Sequence, residues 1–230
     1  MRPFTSPALV AVLLLTALPL SALASHQILL PCGPLSGLHP EADARTGCNT
    51  PNLLQNPGFE TCTGCSPEAG ALPDGWTYSF FYDASEGEPV GNASWTHVGA
   101  REGTAALRLH AGETQYVYHI LESARVPVEA GSSYSASVWV RLDAPEGTTG
   151  SMGFLQVLFW DAAGRPLRGD FERVPVEPGW TRSGLVQAAP EGATEAALEL
   201  SLGHETHAIL VDATLLQKGG TLNPWTLIDG

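Results

Sequence analysis

Residues 134–142 alternate without a break: Tyr134, Ala136, Val138, Val140 and Leu142 fall on one side, and Ser135, Ser137, Trp139 and Arg141 on the other. A period of two is what a strand with one buried side requires, so the first set is assigned to the core. The same reading of 154–161 sets Leu155, Val157 and Phe159 against Gln156, Leu158 and Trp160. In 114–120, Gln115, Val117 and His119 oppose Tyr116 and Tyr118, and the pattern leaves open which set faces inward. Further strand-like runs occupy 76–82, 94–98, 105–110, 181–187, 196–202 and 208–216. Turns such as Ala144-Pro145-Glu146-Gly147, Glu177-Pro178-Gly179 and Pro190-Glu191-Gly192 separate them. Short strands at regular spacing, with no helical period between them, predict an all-β antiparallel β-sandwich rather than βαβ units.

Ahead of these strands stands Asn52-Leu53-Leu54-Gln55-Asn56-Pro57-Gly58-Phe59-Glu60. Leu53 and Leu54 are apolar enough to enter a core, Pro57-Gly58 forces a turn, and Phe59-Glu60 sets a buried anchor beside a carboxylate. A carboxylate beside bent backbone carbonyls suits a hard cation, which takes six to eight oxygen ligands.

Three features of composition narrow the picture. Arg2 precedes an apolar run over 8–20, followed by Ala22-Leu23-Ala24, so 1–24 is expected to be a secretory signal peptide. That run is shorter than the ~20 residues a spanning helix needs, and no later stretch reaches it, so no membrane insertion is expected. The protein is expected to be secreted, extracellular or periplasmic, and removal of the leader leaves 206 of 230 residues, enough for one large β domain. The net charge of −13 becomes −14 without Arg2 and repels phosphate backbones, which excludes nucleic acid as a natural partner.

All four cysteines lie early, at Cys32, Cys48, Cys62 and Cys65, and an oxidising destination makes two disulfides the expectation. Of the three pairings, Cys32 with Cys48 and Cys62 with Cys65 each close a local loop. The Thr, Gly, Ser and Pro around Cys62 argue for a loop rather than the helix N-terminus of a redox motif, and the outer pair is spaced too widely for a zinc knuckle. Residues 25–50 form a Cys-containing N-terminal extension, 51–218 the domain, and 219–230 a tail holding Trp225.

The turn at 52–60 is followed by Ala100-Arg101-Glu102-Gly103-Thr104-Ala105-Ala106-Leu107-Arg108-Leu109, then by Val128-Glu129-Ala130-Gly131-Ser132-Ser133-Tyr134 and Ile209-Leu210-Val211-Asp212. In order and spacing this set resembles a carbohydrate-binding module of the cellulase-C type, over roughly 51–218. The resemblance implies a jelly roll with a galactose-binding-like fold. It also implies a structural calcium ion held by Glu60, by backbone carbonyls near Gly103, and by Asp212. Ala213 stands where such modules often carry a second acidic residue.

The residues themselves suggest where a glycan would lie. A pyranose offers an apolar C–H side to an aromatic ring, and its hydroxyls suit planar partners such as Arg, Gln or carboxylates. Trp139 and Arg141, with Gln156 and Trp160, are expected to share one sugar-binding face, and Tyr116 and Tyr118 are candidates to join it. His204-Glu205-Thr206-His207 lacks the spacing of a zinc-binding H-E-x-x-H helix, and no nucleophile-elbow, P-loop or dinucleotide motif occurs. Asn92-Ala93-Ser94 fits a glycosylation sequon. The expected function is non-catalytic carbohydrate binding, with a separate enzyme or an envelope component as the natural protein partner. A cell-envelope or adhesion module that binds protein, and a glycan-cleaving enzyme, are the rivals.

Overall fold

The inward sides of the strands are carried by Leu, Val, Ile and aromatic residues, and the structure stacks two antiparallel sheets on them. It is a computed structural model and describes residues 51–65, 72–82, 91–111, 117–167, 169–203, 207–220 and 222. The signal segment, the extension with Cys32 and Cys48, Tyr116, His204 to Thr206 and most of the tail, Trp225 included, lie outside the described residues.

In chain order the strands are β1 (Trp76–Tyr82), β2 (Gly91–Thr96), β3 (Ala106–Ala111), β4 (Val117–Ser123), β5 (Val126–Pro127), β6 (Ser133–Asp143), β7 (Ser151–Asp161), β8 (Pro166–Leu167), β9 (Phe171–Val176), β10 (Thr181–Ala188), β11 (Ala193–Gly203) and β12 (Ala208–Lys218). No helix occurs among the described residues. One sheet runs β10-β6-β12-β3-β2. The other runs β1-β4-β11-β7, with β8 and β9 both paired to β7 and β5 to β11. From β9 onward each successive strand crosses to the opposite sheet, which is the wrapping of a jelly roll.

The core lies between the sheets. Tyr134, Ala136, Val138, Val140 and Leu142 of β6 are buried there, with Leu155, Val157 and Phe159 of β7 opposite, and the Tyr134 and Phe159 rings meet at 6.4 Å. β9 was not legible as a strand, because Glu172, Arg173 and Pro175 interrupt its apolar run. It pairs with β7, and an edge position tolerates a proline that has no N–H to donate.

The turn at 52–60 is clipped onto β12 where that strand bulges, between Asp212 and Leu215. Asn52 Nδ2 donates to Thr214 O (2.9 Å), Leu53 N to Leu216 O (2.7 Å), and Thr214 N and Oγ1 both donate to Pro57 O. Phe59 thereby enters the core fully buried, its ring 5.1 Å from that of Trp76, while its carbonyl accepts from Trp95 Nε1. Cys62 and Cys65 are disulfide-bonded, as their spacing suggested.

The question left open in 114–120 is answered by β4: His119 faces inward at 1% exposure and Tyr118 faces out. His119 Nδ1 lies 2.8 Å from Tyr78 Oη, and burial, aided by His110, lowers its pKa to about 4. Between pH 4 and 6.5 the unfolded chain therefore binds a proton that the folded chain refuses. Stability contributed by neutral His119 is present above that window and is lost as pH falls through it, by on the order of 3 kcal/mol. The double variant His119→Leu/Tyr78→Phe is expected to show a flatter rise of stability across this window in urea unfolding at a series of pH values. Parallel curves for the two proteins would assign the acid sensitivity to another group.

Candidate functional site

The two outward faces differ, and the difference decides where a ligand has access. On the five-stranded sheet the outward residues Ser135, Ser137, Leu210, Asp212, Leu215 and Gln217 are all buried. Residues 99–104 fold over part of this face. The Arg101 guanidinium stacks on Trp139, 4.4 Å from the ring centroid, and Gly99 packs against Arg141. The ring face that a sugar would need at Trp139 is taken by a cation–π contact.

The expectation of a single face holding Trp139, Arg141, Gln156 and Trp160 is therefore corrected. Trp139 and Arg141 belong to β6 in the five-stranded sheet, whereas Gln156 and Trp160 belong to β7 in the seven-stranded one. Both pairs do point away from the core, as the alternation indicated. Trp160, however, is only 6% exposed, and the Arg125 guanidinium lies 3.9 Å above its ring.

The carboxylates that the resemblance implied for calcium both face residues 101–105. Asp212 Oδ2 accepts from Arg101 N (2.7 Å) and Glu102 N (3.0 Å), and Oδ1 from Ala213 N (2.6 Å). Glu60 accepts from Thr104 N, Thr104 Oγ1 and Ala105 N. Gly103, at φ 60°, is what lets Glu60 in: a Cβ there would sit on the Glu60 carboxylate, 2.1 Å from Oε1. Burial pushes Asp212 up to about 6 against the pull of those N–H donors, and the charge of Glu60 adds to the rise. No salt bridge reaches either carboxylate among the described residues. Two carboxylates without a positive partner among the described residues are an all-oxygen donor pair of the kind a hard cation neutralises, though here backbone N–H groups and the Thr104 hydroxyl meet both of them. No group of three or more His, Cys, Asp or Glu suited to a metal occurs among the described residues.

The outward face of the seven-stranded sheet is open, and its register sets the side chains in rows. The first row runs Phe171, Gln156, Glu199, Glu122, Thr77, and the second Arg173, Phe154, Ser201, Ile120, Ser79. In the third, Tyr118 stands between Gly203 and Phe81. Tyr118 (45% exposed), Phe154 (37%), Phe171 (61%) and Phe81 (66%) line this face. Phe154 and Phe171 meet edge to face at 5.2 Å.

Tyr118 is seated by what is missing opposite it. A Cβ on Gly203 would lie 2.7 Å from Tyr118 Cε1, so only glycine leaves room for the ring against the sheet. Between the aromatic groups, Gln156 Nε2 donates to Glu199 Oε1 (2.5 Å), and Ser201 Oγ donates to the same oxygen. Glu122 faces Glu199 directly across the strands. Burial and then the charge of Glu199 raise the Glu122 pKa, with Arg125 opposing. Like charges placed opposite each other destabilise a sheet, a cost that Gln156 and Ser201 offset at Glu199 and Arg125 at Glu122.

Of the residues named from sequence, this face holds Gln156, Trp160 and Tyr118. Phe81, Glu122, Phe154, Phe171, Glu199 and Ser201 went unnamed. The signal for some of them was present, since Glu199 and Ser201 alternate with Leu198, Leu200 and Leu202 as regularly as the polar side of β6 alternates with its core side.

No protein-family model matches the sequence, and no curated protein sequence matches it. Solved structures do share the fold. The enzymatically active domain of tailspike protein 4 of bacteriophage CBA120 is 14% identical, at a TM-score of 0.52, over 73% of this chain and 21% of that one. The chain thus spans about a fifth of that tailspike structure. A cyclase from Fischerella sp. TAU, in complex with 4-(1H-indol-3-yl)butan-2-one, is 14% identical at a TM-score of 0.51, over 74% of this chain and 98% of that one. A family 61 carbohydrate-binding module in complex with β-1,4-galactotriose is 19% identical at a TM-score of 0.47, over 74% of this chain and 99% of that one. Likeness at these identities is likeness of fold. The chain has the antiparallel jelly-roll sandwich that its resemblance to carbohydrate-binding modules implied.

Proposed function

We propose that this is a secreted, non-catalytic carbohydrate-binding protein that takes a glycan on the outward face of the seven-stranded sheet. The observation that carries the proposal is the exposed set of Tyr118, Phe154 and Phe171, spread over three adjacent rows around Glu199, Gln156 and Ser201. Rings supply stacking surface for the C–H side of a pyranose. The carboxylate and amide between them supply acceptors and donors for its hydroxyls. Purified protein is expected to be retained on insoluble polysaccharide and to light up a subset of a glycan array. Absence of retention on every glycan, with capture of an envelope protein instead, would favour the adhesion reading, which the exposed Phe81 and Phe171 also suit. Steady release of reducing sugar would favour the enzyme reading, with Glu122 and Glu199 as its carboxylates.

The same reading includes a structural calcium ion, with Glu60 and Asp212 as side-chain ligands and carbonyls near Gly103 completing the set. A cation bound only by the folded chain stabilises it by about 2.7 kcal/mol at a hundredfold excess over its Kd. Calcium is thus expected to raise the melting temperature by about 5 °C or more over a chelated sample. Superimposable melting curves would falsify a stabilising calcium.

A further inference from the structure

A recess lined by none of the residues of the open sheet face lies at the end of β6. It has a volume of about 420 Å³ and is walled by the start of the β6–β7 connection and by the β9–β10 turn at Pro178 and Gly179. Its walls are tied together: Leu142 N donates to Glu177 O (2.8 Å), and Leu142 pairs with Pro178 in an isolated bridge. Thr148 N and Oγ1 both donate to Pro145 O, which holds the neighbouring loop in its turn. The recess is therefore formed before anything enters it.

Arg141 is built into this recess. Its guanidinium lies over Trp180 (5.3 Å to the ring centroid) and against the backbone of Gly99, where a Cβ would come within 2.5 Å of Nη2. Gly99 has φ 77°, so glycine is demanded there twice, by the conformation and by the arginine. The donors of this immobilised group are under-used. Arg141 Nε is buried without an acceptor among the described residues and out of a ligand's reach, so the outer nitrogens are the donors the recess can offer, and Nη2 holds Asp143 Oδ1 in an ion pair at 3.7 Å, too long for a hydrogen bond. Glu146 adds a second carboxylate to the rim.

This donor set selects among ligand classes. A phosphate or sulfate would face Asp143 and Glu146, and a cation would face Arg141. A neutral polyol can accept from the guanidinium and donate to the carboxylates at once. We infer that the recess at Arg141, Asp143 and Glu146 is a second binding site, for a single neutral sugar residue, separate from the face of the seven-stranded sheet. A volume near 420 Å³ is ample for one pyranose ring.

Titration of the full chain with glucose, galactose and xylose, each to about 50 mM, while following the indole N–H resonances, tests the inference. At least one sugar is expected to move the Trp180 signal saturably, with a Kd of about 1–10 mM. The variants Asp143→Ala and Glu146→Ala, both at exposed rim positions, are expected to weaken that response at least tenfold, and Tyr118→Ala to leave it intact. No movement with any of the three sugars, movement with sodium sulfate alone, or loss of the response in Tyr118→Ala would each overturn the inference. If Trp180 stays silent while the protein is still retained on polysaccharide, this site fails and the open face stands. If both are silent, both readings fail.

Discussion

The double variant Tyr118→Ala/Phe154→Ala is expected to lose retention on the polysaccharide that holds the parent protein. A ring of this kind contributes roughly 0.5–1.5 kcal/mol through stacking, so removing both weakens binding by about 5-fold to 150-fold. Neither side chain belongs to the buried core, their exposures being 45% and 37%, and the melting temperature is expected to move by no more than about 5 °C. Affinity electrophoresis and a thermal melt on the same preparations separate the two effects. Unchanged retention in this variant, together with loss in Trp139→Ala, would move the binding site to the five-stranded sheet and place Arg101 as a group that must swing aside. Gly203→Ala offers a gentler version of the same test. It would push the Tyr118 ring off its seat without removing it, so it should weaken binding less than loss of the ring does.

The second large effect concerns the fold. Phe59→Ala is expected to destabilise the protein by about 3–5 kcal/mol, a substantial share of the 5–15 kcal/mol by which domains are stable. Its side chain is fully buried against Trp76, and nothing nearby is free to collapse into the space, because Trp76 Nε1 is tied to Asn56 O and Trp95 Nε1 to Phe59 O. Leucine retains much of the volume, so Phe59→Leu should cost less than half as much. Urea unfolding of the three proteins reads both numbers. A cost below about 1 kcal/mol for the alanine variant would mean that the turn at 52–60 is not anchored through this ring.

Both predictions start from stretches that sequence reading singled out, and they show how far that reading reaches. Phe59 was legible because a large apolar side chain directly after Pro57-Gly58 has few places to go but inward. Tyr118 was legible only as one of two alternatives, since Val117 and His119 are as plausible on a core side as Tyr116 and Tyr118. Burial of His119 against Tyr78 decided it, and that contact joins residues 41 apart. Glu122 and Glu199 could not have been paired from their positions in the chain, because nothing local states that β4 lies beside β11.

The arginines made the largest difference between reading and structure. Trp139 and Trp160 do stand on outward sides, yet each carries a guanidinium on its ring, from Arg101 and Arg125. These partners come from other strands or loops, and a flat, weakly hydrated cation covers an indole well enough to withdraw it from ligand contact.

What the chain determines by itself is the side on which each residue of a strand falls, since the period of two is a property of the extended backbone and needs no partner. Alternation therefore assigned the core of β6 and β7, and the excess of such strands over any helical pattern set the all-β class. Which strands lie side by side, and which outward face is left uncovered, arose only in three dimensions. Pairing satisfies backbone hydrogen bonds equally well for many neighbours, and the choice among them rests on packing summed over the whole sandwich, as does the folding of residues 99–104 across one sheet and not the other.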